Sequence, residues 1–234
     1  VAGKPMMAYQ LDSLQVAGIK ECTIVVGYLA ESVRDCFGSN YRGVRISYVE
    51  NTTYDTSNNL CSLWQAREAF DDDVLLLESD LVFDDRLICE LIKKKKPDVA
   101  VVDRFRPGMD GSVILANGGV AKALLLKSEQ PQGFDYSSAL KTVNIYRLSS
   151  ETLVETILPG MEEFLAEGRT DQYYEAVFAS LIRSNRMEMS VMETGKMQWS
   201  EIDTLDDLRE TENMLQAVTP EIRMDRPSGT ALIG

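Results

Sequence analysis

The chain has 234 residues, of which 44% are hydrophobic, and it carries a formal net charge of −13. This length accommodates one large α/β domain or two small ones, and the acidic balance argues against non-specific binding to nucleic acid or to anionic lipid. Histidine is absent, which excludes His-based triads, His metal ligands and imidazole acid–base chemistry. An enzyme of this composition needs a reaction without a base that titrates near neutral pH, such as phosphoryl or nucleotidyl transfer.

No segment reaches the length of a membrane span, and no cationic segment leads into an apolar stretch at the start. We therefore expect a cytoplasmic protein with no membrane partner. Cysteines that are widely spaced in apolar runs predict reduced core thiols rather than a disulfide framework or a zinc site. The four cysteines are Cys22, Cys36, Cys61 and Cys89.

The first hundred residues alternate between helical and strand-like patterns. The predicted helices cover about 5–18, 29–37, 59–70 and 85–96, and the predicted strands cover 22–26, 44–49, 74–78 and 98–103. Strands that alternate with helices indicate an α/β fold, with a mostly parallel central sheet and helices on both faces.

The second half of the chain has a different character. The expected elements are a β-hairpin over 112–127, a strand over 140–148, a helical segment interrupted at 159–160, a helix over 172–184, a strand over 187–193 and a capped helix start at 204–207. Prolines and a glycine in 219–234 predict a linker or loose tail after a domain of residues 1–218. Such a tail would suit a fused C-terminal domain, and a homo-oligomer is the other assembly we consider.

The apolar run 74–77 is followed by two acidic residues, Glu78 and Asp80. This pattern predicts a strand buried on both faces, with carboxylates at its C-terminal tip. Open α/β sheets bind ligands at the carboxyl ends of their strands, where a carboxylate is a natural Mg²⁺ ligand. The alternative is that these residues only begin a polar loop and cap the next helix.

Several segments, in their order and spacing, resemble the nucleotidyltransferase family that makes activated sugars and activated amino-alcohols. They are GKPM at 3–6, CTIVVGY at 22–28, NTTYDTSNNLCSL at 51–63, ESD at 78–80, KTVNIY at 141–146 and WSEID at 199–203. The segment 51–63 resembles the cytidylyltransferase branch, especially bacterial choline-phosphate cytidylyltransferases. The segment 141–146 resembles the variant that acts on phosphonates such as 2-aminoethylphosphonate. The resemblance implies a Rossmann-like nucleotidyltransferase fold with a mixed β insertion that bears the acceptor site.

In this family a Gly-rich loop with an Arg, followed by a Pro–Lys pair, grips the triphosphate. This sequence has no such loop, no GxGxxG and no Walker-type motif, and its first predicted element is a helix. The comparison implies that the N-terminal strand and Gly-rich loop are missing, and Lys4, which belongs to the later GKP segment, does not replace them. A truncated, inactive nucleotide-binding module is therefore an alternative.

The resemblance also implies that Asp80 and Asp203 are catalytic metal ligands, with Glu78 secondary. If the sheet brings the two aspartates together, they form a hard oxygen site for Mg²⁺, which bridges the nucleotide phosphates and the incoming oxygen. That oxygen belongs to an ionised phosphate or phosphonate, so no general base is required. For Asp203 the alternative is N-terminal capping of the final helix.

Three polar residues are candidates for nucleotide binding. The amides of Asn58 and Asn59 can contact a pyrimidine edge or a ribose, although either can instead cap the helix that follows. We expect one of the two asparagines to contact the nucleotide and the other to cap the helix. Ser62, one helical turn further, is a weaker candidate.

The acceptor site has candidates on two later segments. Lys141 is a catalytic candidate that would neutralise the phosphonate, unless it is exposed to solvent. Tyr173, Tyr174 and Glu175 would form an aromatic and acidic pocket for an ammonium group, unless the tyrosine packs in the core. Trp199 either lines that pocket or packs beneath it.

The resemblance predicts a Mg²⁺-dependent cytidylyltransferase that joins CTP to 2-aminoethylphosphonate or phosphocholine and releases pyrophosphate. The phosphonate is favoured by residues 141–146. A sugar-1-phosphate nucleotidyltransferase is the alternative within the enzyme class, and the paired Asn58 and Asn59 argue against it.

Overall fold

The computed structural model describes residues 1–222, of which 217–222 are described by their backbone alone. The helices are α1 Met6–Val16, α2 Ala30–Phe37, α3 Asn59–Gln65, α4 Arg86–Ile92, α5 Ser150–Thr152, α6 Leu158–Ala166, α7 Tyr174–Arg183 and α8 Leu205–Ile222. The strands are β1 Glu21–Val26, β2 Asn40–Tyr41, β3 Val44–Glu50, β4 Val74–Leu77, β5 Leu81–Phe83, β6 Val99–Arg104, β7 Val113–Asn117, β8 Val120–Leu125, β9 Ala139–Leu148, β10 Ser190–Glu193 and β11 Trp199–Glu201.

Six strands form the central sheet in the order β4-β9-β6-β10-β8-β7, and β7 also pairs with β9. β4 and β6 run in the same direction because both pair antiparallel with β9, and β10 lies parallel to β6. The predicted α/β alternation is present, but the sheet is more mixed than the mostly parallel one expected. An apolar pattern predicts that a strand exists but leaves its direction open, so no sequence pattern indicates that β9 lies antiparallel between β4 and β6.

Two smaller sheets accompany the central one. β1 pairs parallel with β3, which pairs antiparallel with β2. β5 and β11 form an antiparallel ribbon directly after the end of β4, with Glu201 opposite Leu81. This ribbon joins the acidic strand end near residue 80 to the acidic segment near residue 203, although more than a hundred residues separate them.

The central sheet is buried on both faces. Along β6, Ala100 and Val102 pack in a core with α3, α6 and α7, whereas Val99 and Val101 pack in a second core with α1, α4 and β1. Successive strand residues point to opposite faces, so this alternation follows from the pleat. The prediction for 74–77 is confirmed in the same way, because its residues alternate between the two cores.

Some predicted boundaries are wrong. The helix expected over 59–70 ends at Gln65 and continues as a 3-10 turn over Arg67–Asp71. The helix expected to break at 159–160 runs on, because Pro159 lies in the first turn of α6, where its missing N–H is no loss. A π-helical turn over Leu153–Ile157 precedes it.

The end of the chain differs from the predicted tail where the structure describes it. α8 continues to Ile222, so residues 219–222 are helical. The rest of the predicted tail, 223–234, lies outside the described residues. Within 1–222, no helix combines the length and the apolar character that crossing a membrane requires.

Candidate active site

The turn between β4 and β5 brings two distant aspartates together. The backbone N–H of Ile202 donates to the carbonyl oxygen of Asp80 at 2.9 Å, which places Asp203 beside this turn. Burial, then the negative charges of Glu201 and Asp203, raises the pKa of Asp80. The β5–β11 ribbon therefore assembles an acidic site at the C-terminal end of β4.

The same turn is held from below by α1. The buried side chain of Gln10 donates from Nε2 to the carbonyl oxygens of Glu78 and Leu81, both at 2.9 Å. These bonds fix the backbone on both sides of Asp80. A buried Gln on a helical face carries no signal in the sequence that distinguishes it from a surface residue.

The capping alternative for Asp203 is wrong. Thr204 and Asp207 cap α8 reciprocally: Thr204 N–H and Oγ1 donate to Asp207 Oδ2 at 2.8 and 2.7 Å, and Asp207 N–H donates to Thr204 Oγ1 at 3.2 Å. The predicted capped helix start at 204–207 is thereby confirmed. The Asp203 side chain is exposed next to Asp80 and does not form this cap.

The carboxylate oxygens of Asp80 and Asp203 are ligands of the kind that a hard divalent cation prefers. Asp80 Oδ1 is buried and has no hydrogen-bond partner among the described residues, and a buried carboxylate oxygen without a donor is costly. The described residues contain no group of three or more His, Cys, Asp or Glu arranged to hold a metal. Asp80 and Asp203 would thus supply two carboxylate ligands, and further oxygens must come from elsewhere.

Lys141 lies inside the site. Only 3% of its side chain is exposed, so the solvent-exposed alternative is wrong. Its Nζ forms an ion pair with Glu201 Oε2 at 3.2 Å and donates to the carbonyl oxygen of Thr142 at 3.0 Å. An ammonium group has three donors, so one remains for a ligand oxygen.

Trp199 borders the Lys141 side of the site. Its ring centre is 6.0 Å from Lys141 Nζ, and its Nε1 donates to Asp103 Oδ2 at 2.8 Å. Asp103 also pairs with Arg106 at 3.0 Å. These contacts fix the orientation of the indole, so Trp199 forms a wall of this site.

Asn144 is a site residue that the sequence analysis missed. It lies three residues after Lys141 on β9 and donates from Nδ2 to Glu201 Oε1 at 3.1 Å. Its φ of +58° is left-handed, a conformation that Asn tolerates better than most residues. An Asn within an apolar strand pattern was the one available signal.

The Glu78 side chain forms its hydrogen bond with α3 rather than with Asp80 or Asp203. Its Oε1 accepts from Asn59 Nδ2 at 2.9 Å, and Asn59 Oδ1 accepts from the N–H of Tyr174 at 2.9 Å. Burial, with a smaller contribution from the negative charge of Asp80, raises the pKa of Glu78 to about 7. Asn59 thus braces the end of β4 against the start of α7.

Of the two asparagines, Asn58 caps a helix as expected for one of them, whereas Asn59 binds Glu78 and the backbone of Tyr174. Asn58 caps α3, since its side chain accepts from the N–H of Asn59 at 2.8 Å, and its Nδ2 donates to Asp171 O at 3.3 Å. Both amide atoms of Asn59 are engaged in the brace. Ser62 Oγ accepts from Asn51 Nδ2 at 3.1 Å. The nucleotide contacts predicted for the three therefore remain a prediction.

The predicted pocket of Tyr173, Tyr174 and Glu175 is not formed as one unit. Tyr173 is exposed, whereas Tyr174 and Glu175 are buried, because successive residues at a helix start point in different directions. Glu175 accepts hydrogen bonds from three hydroxyl groups, and burial raises its pKa. The donors are Ser112 at 3.1 Å, Tyr146 at 3.1 Å and Thr142 at 3.5 Å. Glu175 supports the site from beneath.

Comparison with known proteins gives sequence relatives of two related activities. No protein-family model matches the chain. It is 33% identical over 213 residues to CMP-5'-(3-aminopropyl)phosphonate synthase of Streptomyces rubellomurinus, an overlap of 91% of this chain and 34% of that protein. It is 34% identical over 89 residues to 2-aminoethylphosphonate cytidylyltransferase of Lancefieldella rimae, or 38% of this chain and 35% of that one. The chain thus spans about a third of each.

Solved structures share the fold. CTP:phosphocholine cytidylyltransferase from Streptococcus pneumoniae superposes with a TM-score of 0.72 at 21% identity, over 92% of this chain and 87% of the other. The inositol-1-phosphate CTP transferase from T. maritima superposes with a TM-score of 0.70 at 18% identity, over 93% and 84%. These likenesses confirm the predicted Rossmann-like nucleotidyltransferase fold. Together with the sequence relatives, they show that the chain has the nucleotidyltransferase fold and is similar in sequence to proteins named as a CMP-aminoalkylphosphonate synthase and a cytidylyltransferase.

Proposed function

We propose that this protein is a Mg²⁺-dependent cytidylyltransferase that joins CTP to a small aminoalkylphosphonate and releases pyrophosphate. The observation that carries the proposal is the meeting of Asp80 and Asp203 at one strand end, beside the buried Lys141. Two carboxylates next to a buried cation suit a reaction in which phosphate oxygens are both bound and transferred.

In the proposed reaction, an oxygen of the acceptor phosphonate attacks the α-phosphorus of CTP, and the bond to the β-phosphate breaks to release pyrophosphate. The acceptor oxygen is already ionised, so its attack needs no base, in agreement with a chain without histidine. A bound Mg²⁺ would neutralise the phosphate charge, with Asp80 and Asp203 holding it. The remaining N–H of Lys141 would hold the acceptor oxygen in position.

Two observations support an aminoalkylphosphonate as the acceptor. Both cytidylyl-transferring relatives named above carry an aminoalkylphosphonate in their names. The face of Trp199 lies beside Lys141, and an ammonium group favours an aromatic face. A phosphonate on Lys141 would thus leave its amino end within reach of the indole. Phosphocholine remains the second acceptor.

A sugar-1-phosphate nucleotidyltransferase is the second candidate function. UTP–glucose-1-phosphate uridylyltransferase of Haloferax volcanii is 25% identical over 138 residues, which is 56% of each chain. Its identity is below that of both phosphonate relatives, and its overlap is shorter than the 213 residues shared with the Streptomyces protein, so this candidate ranks behind the first.

Pyrophosphate release tests the proposal. The assay uses the 234-residue chain and the product of its complete reading frame, each with CTP or UTP, Mg²⁺, and either 2-aminoethylphosphonate, 3-aminopropylphosphonate, phosphocholine or glucose 1-phosphate. We expect release with CTP and a phosphonate. We expect Asp80→Asn to lower it at least about 100-fold, the upper end of the loss seen for metal-site partners, with unchanged circular dichroism. Release only with UTP and glucose 1-phosphate would reject the proposal in favour of the second candidate.

A further inference from the structure

Asn144 sits at an irregularity in the longest strand. β9 pairs with β6 through Thr142 opposite Val102 and Tyr146 opposite Ala100, so three residues of β9 face one residue of β6. The middle one of the three is Asn144, and its φ of +58° differs from that of a regular strand. Such bulges re-aim a side chain, and strained backbone of this kind concentrates at functional sites.

The two ends of the Asn144 amide have different surroundings. Nδ2 donates to Glu201 Oε1 at 3.1 Å, and Lys141 holds the other oxygen of the same carboxylate at 3.2 Å. Oδ1 is buried without a hydrogen-bond partner among the described residues. Orientation of the amide is thus fixed by Glu201, which leaves an oxygen acceptor directed away from it.

The unpartnered Oδ1 belongs to the same site as the unpartnered Asp80 Oδ1. The carbonyl oxygen of Asn144 accepts from the N–H of Glu78 at 3.2 Å, which ties the bulge to the turn that carries Asp80. Glu201, which Asn144 contacts, lies two residues before Asp203 and raises the pKa of Asp80 by its charge. Both are buried oxygens without a donor on adjoining backbone segments, and a bound cation would satisfy both of them.

We propose that Asn144 Oδ1 is a third protein oxygen ligand for the divalent cation held by Asp80 and Asp203. The inference rests on the proposed function and assigns a new residue to its metal site. An amide oxygen is a hard, neutral ligand of the kind that Mg²⁺ and Mn²⁺ accept. It adds coordination without adding negative charge, which matters because the triphosphate brings several negative charges of its own.

The left-handed backbone makes a clean test available. Glycine adopts this conformation without strain, so Asn144→Gly removes the side chain and keeps the bulge. Asn144→Asp keeps an oxygen at the same position but loses the Nδ2 donor to Glu201. The pair therefore separates direct ligation through Oδ1 from an indirect role through Glu201.

The experiment measures Mn²⁺ binding to the full chain without nucleotide, using the electron paramagnetic resonance signal of free Mn²⁺ as the readout. The melting temperature in EDTA is recorded for each variant. We expect Asn144→Gly to weaken Mn²⁺ binding about 10-fold with its metal-free melting temperature preserved. Asn144→Asp, in contrast to Asn144→Gly, should bind Mn²⁺ as tightly as the wild type or more tightly. Asp80→Asn serves as the reference for a lost metal ligand.

Three other results of the Mn²⁺ measurement would each reject a different part of the proposal. Wild-type affinity in Asn144→Gly, with binding lost in Asp80→Asn, would reject ligation by Asn144 and keep the metal site. Equal weakening in Asn144→Gly and Asn144→Asp would assign the effect to the Glu201 contact and likewise reject ligation. Absence of Mn²⁺ binding to the wild type would reject the metal ligation of all three residues, whereas the cytidylyl transfer is judged separately by pyrophosphate release.

Discussion

At the scale of single residues, the site is built from carboxylates whose charges oppose one another. Burial, and then neighbouring negative charges, raise the pKa values of Glu78, Asp80 and Glu175. Lys141 is the buried cation beside these carboxylates and pairs with Glu201. Burying unbalanced negative charge costs folding free energy. The buried carboxylates of this site therefore lower the free energy of unfolding, at the place where we propose that a cation binds.

Glu78 allows this cost to be measured. Its pKa is raised from 4.5 to about 7, chiefly by burial. Because the folded value is the higher, protonated Glu78 favours folding. This contribution is fully present below pH 4.5 and is lost as the pH rises to about 7. Glu78→Gln keeps an acceptor for Asn59 and removes the charge, so its stability relative to the wild type should rise by up to about 3 kcal/mol across this range.

Urea unfolding in EDTA at several pH values measures the effect. Glu151→Gln, which changes an exposed carboxylate of α5, is the matched control and should follow the wild type. Parallel stability curves for the wild type and Glu78→Gln would mean that Glu78 is not a buried carboxylate of raised pKa.

At the scale of elements, local sequence patterns predict strands and helix caps, but they do not predict contacts between residues that are far apart in the chain. The run 74–77 and the capping residues Thr204 and Asp207 were identified because periodicity and spacing carry them. The antiparallel placement of β9 and the left-handed Asn144 depend on residues far along the chain. Asp80 and Asp203 could be named as a pair only through the family resemblance, because no local pattern predicts the β5–β11 ribbon.

Packing of α6 on α7 gives a prediction at this scale. A Cβ on Gly160 would lie 3.1 Å from a Val177 methyl and 3.3 Å from Leu181, so the two helices meet where no side chain fits. Gly160→Leu should overpack this contact and destabilise the protein by about 1–3 kcal/mol. Thermal unfolding checks it, with Glu162→Leu on the exposed side of the same helix as control. A melting temperature equal to that of the control would contradict the close approach.

At the scale of the whole molecule, the central sheet acts as a platform between two hydrophobic cores. α3, α6 and α7 cover one face and α1 and α4 the other. The site lies where the end of β4, the bulge of β9 and the β5–β11 ribbon meet. In the proposed function, this arrangement would let a strongly acidic chain without histidine present both carboxylate oxygens for a cation and a buried lysine to phosphorylated ligands.

The central claim is that this protein forms a bond between a cytidylyl phosphate and a phosphonate, and ³¹P nuclear magnetic resonance observes that bond directly. With the product of the complete reading frame, CTP, Mg²⁺ and 3-aminopropylphosphonate or 2-aminoethylphosphonate, we predict a new phosphonate signal coupled to a new phosphate signal, together with an equal amount of pyrophosphate. Both signals should be lost in Asp80→Asn. An unchanged phosphonate resonance in the wild-type reaction, with CTP intact, would contradict the account.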